Sequence, residues 1–229
     1  MHSNKNNLLV LHEDNHIIII NKRPGDIVQG DKTGDKPLSD VVKEYLKEKH
    51  NKPGNVYLGT VHRLDRPTSG IVIFAKTSKA LERLNKMLRD KNIQKTYFAV
   101  VKEHLSKKEN TLIHFLKKNP KNNKSTAFTK EIEGSKKAVL HYKVIKELDN
   151  YSLLEIDLET GRHHQIRSQL STIGHPIKGD LKYGFSRSNK NGSIHLHARK
   201  IAFIHPVSKE PIEITAPLPK SDSIWEACN

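Results

Sequence analysis

The sequence predicts an α+β protein whose sheet is mixed and mostly antiparallel, and three observations support this class. Short apolar runs, such as residues 17–20 and 71–75, are bounded by turn-forming residues, as is typical of strands. Other stretches carry apolar residues at helical spacing. The predicted strands and helices do not alternate as regular β-α-β units, which argues against a parallel sheet.

A hairpin and a helix are predicted at the start of the chain. The apolar runs 8–11 and 17–20 are typical of two strands, and the acidic and Asn residues at 13–15 favour a turn between them. Residues 40–50 carry apolar side chains at i, i+3 and i+4 spacing. This spacing predicts a helix, with Ser39 as its N-cap.

The centre of the chain is predicted to contain two strands around an amphipathic helix. Residues 71–75 are continuously apolar, which indicates a buried strand. A helix is expected after Thr77, with its apolar stripe at Leu81, Leu84 and Leu88. Residues 94–101 are rich in β-branched and aromatic side chains, so we expect a central strand there.

A lysine-rich segment and a hairpin are predicted next. Residues 117–130 contain five lysines with Asn and Pro and few apolar residues, which predicts an exposed, irregular loop. Residues 139–148 and 152–159 are expected to pair as a hairpin. In its second arm Leu154 and Ile156 alternate with acidic residues, so one face is expected to be buried.

The last third of the chain combines a helix, an irregular loop and closing strands. A helix is expected to open in residues 161–170 and to end at Gly174, a residue favoured just after a helix. Residues 174–184 predict a long irregular loop. The closing strands are expected at 194–204 and 212–214, bounded by prolines.

The charge balance indicates a polyanionic partner. Lys and Arg number 40 against 25 Asp and Glu, which makes the net charge +15. Such an excess favours nucleic acid first and an anionic membrane surface second, although a generally lysine-rich proteome is a plain alternative. No apolar run approaches the roughly 20 residues of a membrane-spanning helix, and no signal peptide is recognisable. We expect a cytoplasmic protein.

Several classes of site are disfavoured. The chain lacks the glycine-rich phosphate-loop and dinucleotide signatures and the Gly-x-Ser-x-Gly signature of serine hydrolases. Its single cysteine, Cys228, permits neither a disulfide framework nor a cysteine-based metal site. His163 and His164 are adjacent, so on a helix their side chains point about 100° apart. His195 and His197 are expected on a strand, beside no obvious carboxylate ligand. We therefore predict no metal.

Three residues form the most informative combination. Asp65 is followed by the breakers Pro67 and Gly70 and then by a buried strand, which predicts a carboxylate on a tight turn at the edge of the core. Tyr97 falls in the predicted central strand and Arg167 in the first turns of a helix. A buried arginine usually pairs with a carboxylate, and a tyrosine offers a face on which a base stacks. The plain alternative is a surface ion pair and a core tyrosine.

Five motifs resemble those of the RluA family of pseudouridine synthases. The stretch HRLDRPTSG (62–70) resembles its first signature, and GRHHQIR (161–167) is similar to its second. The segments KTYFA (95–99), GHPIKGD (174–180) and LHA (196–198) also match, in the same order. The likeness extends from about residue 8 to Pro219.

The resemblance implies a fold, a reaction and a set of roles. It implies the pseudouridine synthase fold, with a mixed sheet, flanking helices and a central cleft, as a single catalytic domain over residues 1–229. Members isomerise uridine in RNA: the base is detached from C1′, turned and rejoined through C5. Asp65 is then the catalytic aspartate, Tyr97 stacks on the uracil, Arg167 pairs with Asp65, and Arg63 is a candidate to fill the space of a flipped nucleotide. No cofactor is implied.

The same resemblance, together with the charge pattern, implies where RNA is bound. Many relatives carry a small additional RNA-binding domain at the N-terminus, and this chain begins almost directly at the catalytic region. A stand-alone catalytic domain, expected to be a monomer, must then bind rRNA or tRNA through its own basic surface. The residues expected to contact RNA are His62, Arg63, Arg66, Thr68, Arg162, His163, Gln165, Lys117, Lys118, Lys121 and Lys124.

Two other functions compete with this one. The first is a non-catalytic RNA-binding or ribosome-assembly protein on the same fold, which would have no need of Asp65, Tyr97 and Arg167 together. The second is a DNA glycosylase, which is disfavoured because a glycosidic hydrolysis typically uses a second carboxylic acid. One difference from many relatives is Gln169, at a position where they often carry His.

Overall fold

A computed structural model describes residues 2–31, 33–220 and 222–228. The strands are β1 (Val10–Glu13), β2 (Ile17–Lys22), β3 (Gly59–Thr60), β4 (Ser69–Ala75), β5 (Ile93–Lys102), β6 (Glu109–Asn119), β7 (Lys124–Phe128), β8 (Lys136–Leu148), β9 (Tyr151–Leu158), β10 (Leu196–Ile204) and β11 (Pro211–Thr215). The helices are α1 (Leu38–Lys49), α2 (Ser78–Arg89), α3 (Gln165–Thr172) and α4 (Ser223–Ala227).

The chain folds into two compact units. The first comprises Met1–Gln94 and Ala198–Pro217, and the second comprises Lys95–His197 and Leu218–Asn229. The predicted α+β class with a mostly antiparallel sheet is confirmed, since the strand pairs with an assigned register are antiparallel in both units.

The sheet of the first unit runs in the order β1-β2-β4-β10, with β3 on β4 and β11 on β10. Its β2 and β4 strands are buried along their whole length. Ile18, Ile20 and Phe74 pack with Val42 and Leu46 of α1 in one apolar cluster. This core fixes β4, and with it the turn that precedes β4, because every side chain of the strand is enclosed.

The sequence predictions for the first unit are confirmed with one exception. The hairpin, both helices and the apolar strand are present, and Thr77 caps α2 by accepting a hydrogen bond from the Ala80 N–H at 3.2 Å. The prediction that Ser39 caps α1 is wrong. The helix begins at Leu38 with Pro37 at the N-cap, and the Pro37 carbonyl accepts from the Asp40 N–H at 3.0 Å. Proline tolerates this position because its backbone has no N–H to satisfy.

The sheet of the second unit runs in the order β5-β9-β8-β6-β7. The predicted central strand and the β8–β9 hairpin are confirmed, and Tyr97 lies directly opposite Ile156. Helix α3 lies against β6 and β7. Leu116 and Ala127 are among the buried side chains of these two strands, and they pack with Ala138 of β8.

The lysine-rich segment is not the irregular loop that its composition predicts. Residues 117–119 end β6 and residues 124–128 form β7, so the segment is largely a β-hairpin, called here the lysine hairpin (β6, β7 and their turn at 120–123). Lys118 pairs with Ser125 and Leu116 with Ala127. Composition hid the alternation of buried and exposed residues, because lysines and asparagines occupy the exposed positions.

Two further predictions near the C-terminus need correction. His195 precedes β10 and does not lie on it, and its Nε2 is 3.1 Å from Oδ1 of Asp222. The short helix α4 was not predicted from the sequence, although its Trp225 is 1% exposed and stacks on the His195 ring with centroids 5.0 Å apart. A five-residue helix leaves too short a periodic pattern to recognise.

Candidate active site

Asp65 lies in the connection between β3 and β4. Its carbonyl accepts a hydrogen bond from the Thr68 N–H at 3.0 Å, which closes a turn. Two residues later Gly70 has φ +112, and a Cβ there would lie 2.3 Å from the carbonyl oxygen of Ala198. Glycine therefore allows β4 to approach the backbone of β10. The half-buried carboxylate is placed by main-chain packing.

A buried lysine lies beneath this turn. Lys22 is 1% exposed, and its Nζ donates to the carbonyl oxygens of Asp26 at 2.8 Å, Arg23 at 2.9 Å and Arg66 at 3.1 Å. Burial lowers the pKa of Lys22 to about 7, although the negative charges of Asp26 and Asp65 act in the opposite direction. Three acceptors satisfy the three N–H groups of an ammonium, so Lys22 joins the basic turn after β2 to the residue following Asp65.

The other polar residues around Asp65 differ in accessibility. Arg63 is exposed. Arg66 is engaged within the unit, since Nη1 lies 2.6 Å from Oδ2 of Asp35. The His62 ring accepts a hydrogen bond at Nε2 from the Ile73 N–H at 3.2 Å. Thr68 is 2% exposed, so its side chain is not presented to a large ligand.

Arg167 is held by a buried carboxylate. Its Nε donates to Oδ2 of Asp180 at 2.7 Å and its Nη2 donates to Oδ1 at 2.8 Å. Both side chains are almost fully enclosed, with 6% and 1% exposure. Two parallel charge-assisted hydrogen bonds fix the plane of the guanidinium, and they use two of its five N–H donors.

The start of α3 is built from its own motif. Gln165 is 3% exposed; its Oε1 accepts from the Arg162 N–H at 3.0 Å and its Nε2 donates to the Val139 carbonyl at 3.0 Å. The rings of His163 and His164 stack with centroids 3.8 Å apart, and His164 adopts a left-handed φ of 52. Arg162 is exposed beside this tight entry to the helix.

Tyr97 lies on a buried face of β5 and is 7% exposed. Lys95, two residues earlier, points to the same face because side chains alternate along a strand. Burial lowers the pKa of Lys95. The sequence motif contained Lys95, but its burial was not foreseen, since the residue lies near the start of the strand among polar neighbours.

Three of the predicted RNA-binding lysines are exposed: Lys117, Lys118 and Lys121. Lys124 is half-buried. Lys117 and Lys118 are adjacent in β6 and so point to opposite faces of the lysine hairpin. Positive charge is therefore available on both faces of the hairpin and at its turn.

The predicted catalytic residues are distributed over the two units. Asp65 belongs to the first, and Tyr97 and Arg167 belong to the second. Their proposed contacts with one another and with RNA stay predictions. Two residues of the candidate site were not predicted from the sequence: Lys22, which binds the turn after Asp65, and Asp180, which pairs with Arg167. The signals for them were a lysine closing an apolar strand and a Gly-Asp pair in an otherwise irregular loop.

The described residues contain no group of three or more His, Cys, Asp or Glu side chains suited to hold a metal ion. The absence of a cofactor stays a prediction. None of the helices in these residues has the length and apolar character needed to span a membrane.

Comparison with known families gives one match over most of the chain. Residues 16–172 match the model of a family described as RNA pseudouridylate synthase. Among curated proteins, the ribosomal large subunit pseudouridine synthase D of Zymomonas mobilis is 34% identical over 223 residues, covering 93% of this chain and 70% of that protein. The tRNA pseudouridine synthase C of Pectobacterium carotovorum is 30% identical over 237 residues, covering 96% and 60%.

A third relative is named uncharacterized RNA pseudouridine synthase slr1629, from Synechocystis, and is 34% identical over 214 residues. The alignment covers 92% of this chain and 65% of slr1629, so the chain spans about two thirds of the length of these relatives.

Solved structures share the fold. Human RNA Pseudouridylate Synthase Domain Containing 4 superposes with a TM-score of 0.77 at 23% identity, covering 93% of this chain and 89% of that one. Human RNA Pseudouridylate Synthase Domain Containing 1 gives a TM-score of 0.76 at 22% identity, covering 98% and 90%. The predicted fold is therefore confirmed.

Proposed function

The chain belongs to the RNA pseudouridylate synthase family, and we propose that it converts uridine in ribosomal or transfer RNA to pseudouridine, with Asp65 as the catalytic carboxylate. The observation that carries this proposal is the position of Asp65. It lies on a turn anchored by Gly70 and by Lys22, within a signature that the family match includes. A carboxylate on a rigid connection is suited to a reaction that demands a fixed geometry.

The reaction is an isomerisation whose atoms balance without a co-reactant. The bond from C1′ to N1 breaks, the uracil turns, and a bond forms from C1′ to C5. N1 gains a proton and C5 loses one to solvent. Asp65 either attacks C1′ or adds to the uracil ring, and both routes use one carboxylate. Because the base is retained and no water enters, a second acid of the kind used in glycoside hydrolysis is not required.

We propose that the guanidinium of Arg167 pairs with the carboxylate of Asp65. A guanidinium beside the reacting carboxylate keeps it ionised and oriented. Tyr97 stacks on the uracil of a nucleotide that has been flipped out of its helix, and Arg63, which is exposed, fills the vacated space.

We propose fewer RNA-binding residues than were expected from the sequence. The proposed surface retains the exposed or half-buried residues Arg63, Arg66, Arg162, His62, His163, Lys117, Lys118, Lys121 and Lys124. It leaves out Thr68 and Gln165, which are buried and support the turn and the start of α3. We further propose that residues 1–229 act as one catalytic domain, as a monomer, in the cytoplasm and without a cofactor.

Replacing the carboxylate tests the function. Transcripts of large-subunit ribosomal RNA and of transfer RNAs, carrying tritium at C5 of uridine, release the label when C5 bonds to C1′. Wild-type protein should release tritium, and Asp65→Asn should reduce release by at least about 10⁴-fold, since the reacting group itself is lost. Nuclease digestion and mass spectrometry then locate the pseudouridine.

A matched control is Asp149→Asn, which makes the same chemical change at an exposed turn residue. It should leave tritium release unchanged. Full activity of Asp65→Asn would refute the assignment of the catalytic residue. Wild-type protein that binds these transcripts but releases no tritium would instead support the RNA-binding alternative.

A further inference from the structure

Arg167 lies over the ring of a buried tyrosine. The Cζ atom of Arg167 is 5.0 Å from the ring centroid of Tyr183, which is itself 3% exposed. Asp180 binds the Nε–Nη2 edge of the same guanidinium. Two hydrogen bonds and a cation–π contact from different side chains together restrict how the guanidinium can move.

The same tyrosine binds the lysine hairpin. Its hydroxyl accepts a hydrogen bond from the backbone N–H of Ser125 in β7 at 2.8 Å, and it lies 2.9 Å from Nδ1 of His164. The Nζ of Lys124 lies 5.1 Å from the centroid of the ring. Tyr183 thus joins one strand of the lysine hairpin to the residue that enters α3.

A third contact comes from Lys182, which lies with Tyr183 in the short 3₁₀ turn Leu181–Tyr183 that follows Asp180. Lys182 donates from Nζ to the carbonyl oxygens of Asn122 at 3.3 Å and Asn123 at 3.2 Å. These carbonyls belong to the turn of the lysine hairpin. A segment of four residues therefore contacts Arg167 at one end and the hairpin strand and turn at the other.

We propose that residues 180–183 form a positioning element that orients Arg167 and makes this orientation depend on the seating of the lysine hairpin. The inference rests on the proposed function, because the orientation of the guanidinium matters to the reaction through its contact with Asp65. RNA phosphates that bind the hairpin hold β7 against α3, and β7 holds Tyr183. Binding free energy gained at the lysine hairpin is then used to orient Arg167 beside the reacting carboxylate of Asp65.

Steady-state kinetics on the transcript that the wild-type protein modifies test both parts of the proposal: the orientation of Arg167 and its dependence on the lysine hairpin. Asp180→Asn should lower kcat by about a hundredfold, the effect of a small misplacement at a reacting centre, with little change in KM. Tyr183→Leu removes the ring and should lower kcat and raise KM. Tyr183→Phe keeps the ring beneath Arg167 but loses the hydrogen bond to Ser125, so it should raise KM and lower kcat by less than Tyr183→Leu does.

Two further variants keep the proposal testable if a buried substitution unfolds the protein. Lys182→Met alters an exposed residue and releases the hairpin turn, so it should raise KM several-fold and also lower kcat, because the orientation of Arg167 depends on the seating of the hairpin. Tyr142→Phe is the matched control, because it removes the hydroxyl of another buried tyrosine. Tyr142 is 5% exposed, and its hydroxyl donates to the Lys107 carbonyl and not to a residue of the positioning element. It should leave both kinetic constants unchanged.

Far-UV circular dichroism and thermal unfolding of each variant correct the rates for the folded fraction. The proposal is overturned if Asp180→Asn keeps a wild-type kcat, or if Tyr183→Phe and Tyr183→Leu lose kcat equally. It is also overturned if Lys182→Met leaves KM unchanged. Failure of the proposed function is distinct, because Asp65→Asn would then retain activity, whereas failure of this inference leaves the Asp65 dependence intact.

Discussion

The turn that carries Asp65 and the helix that carries Arg167 are held in place by different means. The Asp65 turn is fixed by main-chain packing: Gly70 lies against the backbone of Ala198, and the Lys22 ammonium binds backbone carbonyls. Arg167 is oriented by side chains, namely the carboxylate of Asp180 and the ring of Tyr183.

This difference explains which residue types the two regions require. A position set by the backbone depends on the absence of a side chain, so glycine is needed where two strands approach closely. An orientation set by side chains depends on specific partners with the right donors and acceptors. The first region should therefore respond to changes mainly in stability, and the second mainly in rate.

The largest effect on stability is expected for Gly70→Ala. The added Cβ would lie 2.3 Å from the Ala198 carbonyl oxygen and would also force alanine into φ +112. Overpacking and backbone strain together should lower the free energy of unfolding by about 3 kcal/mol or more. Urea denaturation measures this change.

Gly174→Ala separates the two causes. Gly174 also has a positive φ, +88, but a Cβ added there would meet no atom of the described residues within 4 Å beyond its chain neighbours. Strain alone should lower the free energy of unfolding by about 1 kcal/mol. Equal losses for the two variants would show that the close approach of β4 to Ala198 does not hold the turn.

Lys22 gives an intermediate, pH-dependent effect. Its pKa is lowered by burial to about 7 in the folded protein and returns to about 10.5 on unfolding. Between pH 7 and 9 the unfolded chain therefore binds more protons, so the free energy of unfolding should rise with pH. The contribution of Lys22 reaches about 1.4 kcal/mol per pH unit.

Lys22→Met removes this titration without changing the length of the side chain greatly. The difference in unfolding free energy between wild type and variant, measured in urea at pH 7, 8 and 9, isolates the contribution of Lys22. A difference that does not change with pH would mean that the ammonium is not destabilised by its burial, because its three hydrogen bonds then compensate for the lost hydration.

The smallest effect concerns the lysine hairpin and asks whether the second unit binds RNA. Neutralising its four lysines should weaken binding of the modified transcript and reduce the slope of log affinity against log salt by about 0.7 for each lost phosphate contact. The substitutions are Lys117→Gln, Lys118→Gln, Lys121→Gln and Lys124→Gln.

The control for this variant removes the same charge from exposed lysines of the first unit. The substitutions are Lys47→Gln, Lys52→Gln, Lys79→Gln and Lys91→Gln. Equal salt slopes for the two quadruple variants would show that RNA senses the net charge of the protein and not the lysine hairpin.

Much of the fold was predictable because its signals are local. Apolar runs and spacing located β2, β4, α1 and α2, and the alternation of Leu154 and Ile156 with acidic residues located β9. The lysine hairpin and α4 were missed for a common reason. Few apolar residues mark either element, and the burial of Ala127 and Trp225 comes from packing with distant segments.

The sequence by itself determined the α+β class, the turn around Asp65, the strand of Tyr97 and the helix of Arg167, together with the motifs that indicate the family. The tertiary structure decided that Lys22 is buried, that Arg167 pairs with Asp180, and that Tyr183 joins α3 to the lysine hairpin. Backbone conformation follows from neighbours along the chain, whereas burial and pairing depend on residues that only folding brings together.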